Sequence, residues 1–433
     1  MARKMKDSGI EWIGEIPEGW EVAPLKRFAS IQTGNTPSKT SDANYYAANG
    51  IPWIKPDNLG YSHPILTTSE YLTSEGALCA RIMPPNTVYV CCIGSLGKVG
   101  YSSISCACNQ QINALIFNDL MFWRYGYYLT IAQESQYLLF GNGNVLQIIN
   151  STSQGNIACV LPPLENQHLI ACYLDSICSD IEVLISKARS SIEEYKKLKQ
   201  AVITQAVTKG VRGEREMKDS GVAWIGEIPK EWDIIKSSRI IRTTQNGLSR
   251  RDLEKSEGQI ILKLKNITSD GKIDYSFLNR ITLSQNELNT YALTTGDFLF
   301  VRVNGSKSLV GKCAIFEAIS EIVAYNDHII RVKLSNQCYN RFFLWYLYSC
   351  CGKAEIDLHT STAAGQYTIS GDGLRDITLV FPPIDEQKEI ADYLDAKCAE
   401  IDKLIAKKEQ LVKELESYKK SLIYEVVTGK REV

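Results

Sequence analysis

The sequence predicts an α+β protein built from two similar globular domains in tandem, each followed by a long helix. Three observations support this fold class. The opening segment Met5–Val22 (MKDSGIEWIGEIPEGWEV) returns as Met217–Ile234 (MKDSGVAWIGEIPKEWDI). The segment LPPLENQ, which begins at Leu161, returns as FPPIDEQ, which begins at Phe381, and a long helical pattern follows each. A repeat of this length is too long for a solenoid and indicates duplication of a whole domain.

Each copy contains short strands, a glycine loop and an aromatic-rich helix, in that order. Strands are expected at 87–93 and 297–303, and they lead into the loops GSLGKVG (94–100) and GSKSLVG (305–311), the second lacking the middle glycine. Aromatic helices are expected at 119–140 and 337–356. This mixture is typical of α+β domains. We place the first domain at 1–160, the first long helix at 161–212, the second domain at 213–380 and the second helix at 381–433.

The two long helices are expected to cover each other as an antiparallel coiled coil. Proline pairs mark their starts, because proline suits the entry of a helix and not its interior. The expected apolar seam has the 3-4 spacing of coiled coils. It comprises Ile181, Leu184, Ala188, Ser191, Tyr195, Leu198 and Val202 in the first helix, and Ile401, Leu404, Lys408, Leu411, Leu415, Tyr418 and Leu422 in the second.

Two equivalent copies in one chain tend to pack about a pseudo-two-fold axis. Under that arrangement the long helices form a spacer with one domain at each end. At 1.5 Å per residue, Glu165–Thr208 would be about 66 Å long. The spacer is therefore long enough to hold the two domains roughly one turn of B-DNA, about 34–36 Å, apart.

Composition excludes several classes of protein. The most apolar run, Phe342–Cys351, is too short to span a membrane, and no signal peptide opens the chain, so a cytoplasmic protein is expected. The 13 cysteines form no CxxC pair and the chain has only 4 histidines, so free thiols are expected and a metal site is not. Net charge is −1, but between Lys236 and Lys265 eight basic residues face three acidic ones, which favours contact with a nucleic acid.

The sequence resembles the specificity subunits of type I restriction–modification systems over nearly its whole length. The resemblance rests on the WIGEIPEGW-like openings, PWIKPDNL (52–59), the strand and GSxGxVG loop (94–100), and the (L/F)PPxxEQ helix starts with the trailing QAVTKG (205–210). It implies that each globular copy is a target-recognition domain for one half of a bipartite duplex DNA sequence. It also implies that the paired helices dock two methyltransferase subunits, with endonuclease subunits joining the larger assembly.

The resemblance further implies a non-catalytic chain without cofactors of its own, S-adenosylmethionine, ATP and Mg being held by the partner subunits. Side chains that read bases or bind phosphates are Arg, Lys, Asn, Gln, Ser and Thr. On that chemistry, the candidate DNA-binding residues are Thr36, Ser38, Lys39, Lys55, Asp57, Asn58, Ser95, Lys98, Arg250, Arg251, Lys263, Lys265, Asn266, Arg302, Asn304, Ser306 and Lys307. The candidate docking residues for partner subunits, on the outward helix faces, are Glu193, Lys196, Lys197 and Lys413. Asn109 and Asn326 are expected to cap turns.

Two other classes of function are open at this stage. A stand-alone DNA methyltransferase or nuclease would need a catalytic motif. The Pro-Pro pairs, however, lack the preceding Asp or Asn of an adenine methyltransferase, and no nuclease carboxylate set is apparent. A coiled-coil scaffold for other proteins would explain the helices, but it leaves the two globular domains unexplained.

Overall fold

The computed structural model describes residues 3–37, 43–60, 63–141, 147–250, 257–268, 270–363 and 365–433. The chain forms two compact units, which share the long helices between them. The first unit comprises Met1–Ser190 and Lys408–Val433, and the second comprises Ser191–Lys407. Both ends of the chain therefore belong to the first unit.

The first unit contains four short helices, thirteen strands and parts of both long helices among its described residues. The strands are β1 (Met5–Asp7), β2 (Glu15–Pro17), β3 (Glu21–Pro24), β4 (Ala29–Thr33), β5 (Tyr46–Ala47), β6 (Ile51–Ile54), β7 (Tyr71–Leu72), β8 (Ile82–Met83), β9 (Thr87–Cys91), β10 (Val99–Ser102), β11 (Cys106–Cys108), β12 (Ile112–Phe117) and β13 (Ala158–Leu161). The helices are α1 (Ser74–Cys79), α2 (Trp123–Ala132), α3 (Glu134–Phe140), α4 (Ser151–Gly155) and the long α5 (Leu164–Lys209), which continues into the second unit.

The second unit has a similar order of elements, with fourteen strands among its described residues. Its strands are β14 (Met217–Asp219), β15 (Glu227–Pro229), β16 (Asp233–Lys236), β17 (Ile241–Asn246), β18 (Gln259–Leu262), β19 (Asn279–Ile281), β20 (Phe298–Val301), β21 (Val303–Asn304), β22 (Cys313–Ile315), β23 (Val323–Tyr325), β24 (Ile329–Leu334), β25 (Ser361–Ala363), β26 (Gln366–Thr368) and β27 (Thr378–Phe381). Its helices are α6 (Gln285–Tyr291), α7 (Asn340–Tyr348), α8 (Cys350–Leu358), α9 (Gly371–Arg375) and the long α10 (Ile384–Val427), which ends in the first unit.

The central sheets of the two units have the same topology. An antiparallel four-stranded sheet runs β10-β9-β12-β4 in the first unit, and β17-β24-β20-β22 is its counterpart in the second. A second, mixed sheet contains a parallel pair in each unit, β6 with β11 and β18 with β23. These sheets confirm the predicted α+β class and the duplication.

The glutamine of each (L/F)PPxxEQ segment explains why that segment recurs. The side chain of Gln167 accepts a hydrogen bond from the backbone N–H of Phe122 at 2.7 Å and donates to the carbonyl of Pro162 at 2.9 Å. Gln387 repeats both contacts with Tyr339 and Pro382, at 2.8 and 2.9 Å. Both glutamines are buried. Each glutamine therefore fixes the start of an aromatic helix, α2 or α7, against the start of a long helix, where a backbone donor would otherwise lack a partner.

The long helices run antiparallel within each unit. In the first unit, Glu182 pairs with Lys419 and Arg189 with Glu416, so partner numbers fall as residue numbers rise. In the second, Lys199 pairs with Asp402 and Arg212 with Glu389. The predicted antiparallel pairing is confirmed at the level of each unit.

The predicted seam is correct at Ile181, Ala188, Ile401 and Leu422, which are buried, and wrong at alternate positions between them. Leu184 (51% exposed), Leu198 (49%), Leu404 (43%), Leu411 (39%) and Tyr418 (48%) lie beside the contact and not within it. The residues that follow four of them along the chain are less exposed and take the seam positions; they are Ile185, Lys199, Ile405 and Val412. Ile192 is likewise buried where Ser191 was expected. A row of half-exposed apolar side chains therefore flanks the helix contact.

The glycine loop is longer in the second unit than the sequence comparison predicts. Gly97 donates its backbone N–H to Cys91 at the end of β9, and Gly311 makes the same bond to Val301 at the end of β20. Both glycines have positive φ. Gly97 and Lys98 therefore correspond to Gly311 and Lys312, and the expected match of Gly97 with Ser308 is wrong.

The cysteines are free thiols, as predicted. Cys79, Cys172 and Cys350 are exposed and the others are buried. Burial raises the pKa of buried thiols such as Cys108 and Cys159, in each case to about 12. Among the described residues, no helix is both long and apolar enough to cross a membrane.

Candidate nucleic-acid interface

The second unit contains a basic cleft of about 710 Å³. Three residues that the sequence nominated, Arg250, Lys263 and Lys265, line it together. Arg280 and His328 line it as well, although neither was among the candidates predicted from the sequence. A cleft that gathers this many cationic or protonatable side chains can take up phosphates or base edges.

A short turn after β18 positions both lysines. Lys263, Leu264, Lys265 and Asn266 form a 3-10 turn in which the Asn266 side chain accepts the backbone N–H of Lys263 at 2.8 Å. The Asn266 amide also donates to the carbonyls of Asp274 and Phe277, at 2.8 and 2.9 Å. Asn266 is buried. Its side chain thus holds the turn in place, while Lys265 lies exposed with its ammonium 5.1 Å from the centre of the Phe277 ring.

Arg250 is held in position by a carboxylate on α6. Its Nη1 donates to both carboxylate oxygens of Glu287, at 2.9 and 3.1 Å. Hydrogen bonds from the backbone and side chain of Ser284, and from Arg250, lower the pKa of Glu287 to about 2. The pair therefore stays ionised at any pH used for DNA binding, and the arginine is presented in one orientation.

Arg280 and His328 differ in how closely an acidic residue approaches them. Arg280 donates through Nη1 and Nη2 to the carboxylate of Glu321, at 2.5 and 3.0 Å, so this guanidinium is already held by an acid. His328 is exposed, with Nε2 3.9 Å from Asp327. Arg280 reaches the cleft because β19 pairs with β18. This pairing joins residues that are distant in the sequence, so no local pattern predicts it.

One contact connects the candidate residues around the longer glycine loop with this cleft. Arg302 Nη1 donates to the carbonyl of Asp327 at 3.2 Å, and Asp327 lines the cleft. Asn304 accepts the backbone N–H of Ser306 at 2.9 Å, which forms a tight turn, and Ser306 is exposed. Lys307 is exposed and lies 3.9 Å from Asp357, a distance at which an exposed ion pair contributes little.

The same lysine turn occurs in the first unit with different charges. Asn58 accepts the backbone N–H of Lys55 at 2.9 Å, as Asn266 does for Lys263. Here Lys55 pairs with Glu70 at 2.9 Å and lies 5.0 Å from the ring centre of Trp53. Asp57 is exposed at the position of Lys265. The first unit therefore presents a less basic turn than the second.

The other nominated residues of the first unit do not gather around Lys55. Thr36 is exposed, and its hydroxyl donates to the Gln110 side chain. Ser95 and Lys98 are exposed in the glycine loop, and Lys98 lines a groove of about 820 Å³ beside α5. Ser38, Lys39 and Arg251 lie outside the described residues. Asn109 accepts the backbone N–H of Gln111 at 3.1 Å, which confirms its predicted turn-capping role.

The nominated docking residues are exposed on the long helices. Glu193 and Lys196 pair with each other at 2.8 Å, one helical turn apart. Lys197 and Lys413 are exposed as well. Local pairing of this kind is ordinary on a solvated helix and by itself does not identify an interface.

The fold and the cleft together define a class of protein. It is a duplicated α+β protein with paired long helices, and one of its domains carries a cleft that can take up a polyanion. In the described part of the chain, His, Cys, Asp and Glu form no group of three or more that could hold a metal ion.

The chain belongs to the family defined by the type I restriction modification DNA specificity domain, whose model matches residues 17–194 and 249–414. It is 24% identical over 404 residues to the type I restriction enzyme EcoKI specificity subunit of Escherichia coli K12, covering 87% of this chain and 82% of that one. It is 27% identical over 426 residues to the MjaVIII specificity subunit of Methanocaldococcus jannaschii, covering 96% and 93%.

A solved structure described as the basis of complex assembly and conformational transition of the type I R-M system shares the fold. Its TM-score is 0.71 at 13% identity, covering 96% of this chain and 99% of that chain. The match of the family model confirms the family resemblance inferred from the repeated motifs.

Proposed function

We propose that this chain is the non-catalytic specificity subunit of a type I restriction–modification complex, and that each of its domains binds one half of a bipartite duplex DNA target. The observation that carries the proposal is the duplicated specificity domain, with Arg250, Lys263 and Lys265 gathered in one basic cleft. The chain would direct adenine methyltransferase subunits and endonuclease subunits to the target. Those partners would hold S-adenosylmethionine, ATP and Mg.

Base reading in the second domain rests on Arg250, because Glu287 fixes the orientation of its guanidinium. Arg250→Ala should weaken binding to the cognate duplex by about 1–3 kcal/mol and leave binding to a scrambled duplex nearly unchanged. Fluorescence anisotropy with both duplexes, using the chain together with its methyltransferase subunits, measures the difference. Equal losses for both duplexes would assign Arg250 to phosphate contact and contradict its role as a base reader.

The half-exposed apolar residues beside the helix seam are the better candidates for partner docking. Leu198 and Leu404 flank the Lys199–Asp402 ion pair in the second unit. Leu184 and Tyr418 occupy the same relative positions in the first unit. We propose that methyltransferase subunits cover these apolar pairs, since a repeated apolar surface suits two copies of one partner.

Replacing Leu198 and Leu404 together with aspartate should reduce co-purification of the methyltransferase subunits at least tenfold, because charges would be buried at the interface. The positions are half-exposed, so the circular dichroism spectrum should not change. Charge reversal at Lys196 and Lys197 is the matched comparison on the same helix. If charge reversal at Lys196 and Lys197 abolishes co-purification and the double aspartate variant does not, the charged residues and not the apolar pairs form the docking surface.

A further inference from the structure

The strands β25 and β26 form a hairpin, called the ribbon below, within the three-stranded sheet β21-β26-β25 of the second unit, and the sequence did not predict it. Strand β26 also pairs with β21, Val303 opposite Thr368 and Asn304 opposite Tyr367. The ribbon is therefore tied to the strand that begins the long glycine loop. Ile369, which follows it, is buried and donates its backbone N–H to Arg302 at 2.9 Å.

The two faces of the ribbon differ in character. Tyr367 packs against the apolar core of the second unit and anchors one face. Side chains alternate along a strand, so Gln366 and Thr368 lie on the other face. Ser361 lies opposite Thr368, and their hydroxyls are 3.0 Å apart. This outer face is uncharged and rich in hydrogen-bonding groups, and Gln366 is its longest polar side chain.

Two cationic residues belong to segments next to the ribbon. Arg302, whose carbonyl accepts from the end of the ribbon, reaches the cleft residue Asp327 with its guanidinium. Lys307 lies near Asp357 on the helix that leads into the ribbon. Phosphates are bound by cations, whereas base edges are read by neutral amides and hydroxyls as well as by arginine. A neutral strip beside cations is thus suited to bases and not to the backbone.

We propose that the ribbon enters a groove of the DNA beside the basic cleft and that Gln366 reads an adenine there. The inference rests on the proposed function. The end of the ribbon lies beyond β21 and is two-stranded, with Gln366 opposite Ala363. A two-stranded ribbon fits the major groove, and a glutamine amide pairs with N6 and N7 of adenine. Gln366 is exposed, and its side-chain amide makes no hydrogen bond to another described residue, so this amide is available to a base.

The test is the methylation specificity of the complex that contains the full chain. Gln366→Ala should relax one position of the half-site read by the second unit, lowering discrimination there about tenfold to a hundredfold. Mapping methylated adenines in a host genome gives the base preference at every position. Gln337→Ala, at another exposed glutamine of the same unit, is the matched control and should leave the recognised sequence unchanged.

The outcomes separate this inference from the proposed function. If Arg250→Ala alters specificity and Gln366→Ala does not, the ribbon does not read bases and the inference fails alone. If the unaltered chain directs no sequence-specific methylation, the proposed function fails and the inference fails with it. A Gln366→Ala change that appears in the half-site read by the first unit would also overturn the assignment.

Discussion

Glu386→Ala is expected to lower the free energy of unfolding of the second unit by about 1–3 kcal/mol, because the buried indole N–H of Trp232 loses its acceptor, while Arg215 keeps Glu231 as a partner at 2.9 Å. Glu386 is buried at the start of α10, with Oε1 2.6 Å from Arg215 and Oε2 accepting from the indole N–H of Trp232 at 3.0 Å. Arg215 also covers the Trp232 ring, 4.8 Å from its centre. One carboxylate therefore satisfies an arginine and a tryptophan at once.

The first unit supplies the control for this prediction. Asn166 occupies the position of Glu386, and within the described chain no hydrogen bond joins it to Trp20 or to Arg3. Asn166→Ala should change stability by no more than about 0.5 kcal/mol. Urea unfolding followed by hydrogen exchange would report each unit separately. Equal losses for the two variants would show that the acidic residue does not hold the second unit together.

Patterns that are local in sequence predicted most of the fold. The proline pairs placed the starts of α5 and α10 within a few residues, since proline limits where a helix can begin. The aromatic helices were each expected as one piece, but α7 and α8 are separated at Ser349, whose hydroxyl accepts the Gly352 backbone N–H at 3.1 Å and caps α8. A serine side chain that caps one helix competes with continuation of the helix before it. A single serine in a helical pattern, however, is weak evidence for a break in the helix.

The residues that fill the alternate positions of the helix seam could not be decided from the sequence. Leu184 is followed by Ile185, and Leu404 by Ile405, so two apolar rows with the same spacing run along each helix. The tertiary structure selects between them. Ile185 lines the groove that α5 shares with the first domain, and Leu184 remains half-exposed. Spacing alone gives the period at which apolar residues recur along a helix. Which of two such rows is buried depends on the elements that pack against the helix.

The candidate site was predicted in part for a related reason. Lys263 and Lys265 belong to a local turn, and their types and spacing sufficed to nominate them. Arg280 reaches the same cleft only through the pairing of β19 with β18. The ribbon of β25 and β26 was missed because its strands are short and polar, without the apolar alternation that indicates a strand. Contacts that depend on pairing between strands far apart in the sequence produce no such local pattern.

Removing both turn lysines should cost DNA affinity in a way that depends on salt. Each lysine–phosphate contact contributes about 0.9 to the slope of log K against log salt concentration. Lys263→Ala together with Lys265→Ala should therefore flatten the slope by about 1.8. At 0.1 M salt this corresponds to an affinity loss of roughly 60-fold, and the loss should nearly vanish as the salt approaches 1 M.

Because phosphates carry no sequence information, the double lysine variant should lose affinity for cognate and scrambled duplexes alike. Lys272→Ala is the matched control, since Lys272 is exposed in the same unit, pairs with Asp270 at 3.3 Å and does not line the cleft. It should leave the slope unchanged. An unchanged slope in the double variant would show that DNA does not enter this cleft. A loss confined to the cognate duplex would instead show that the two lysines contact bases, as Arg250 is expected to do.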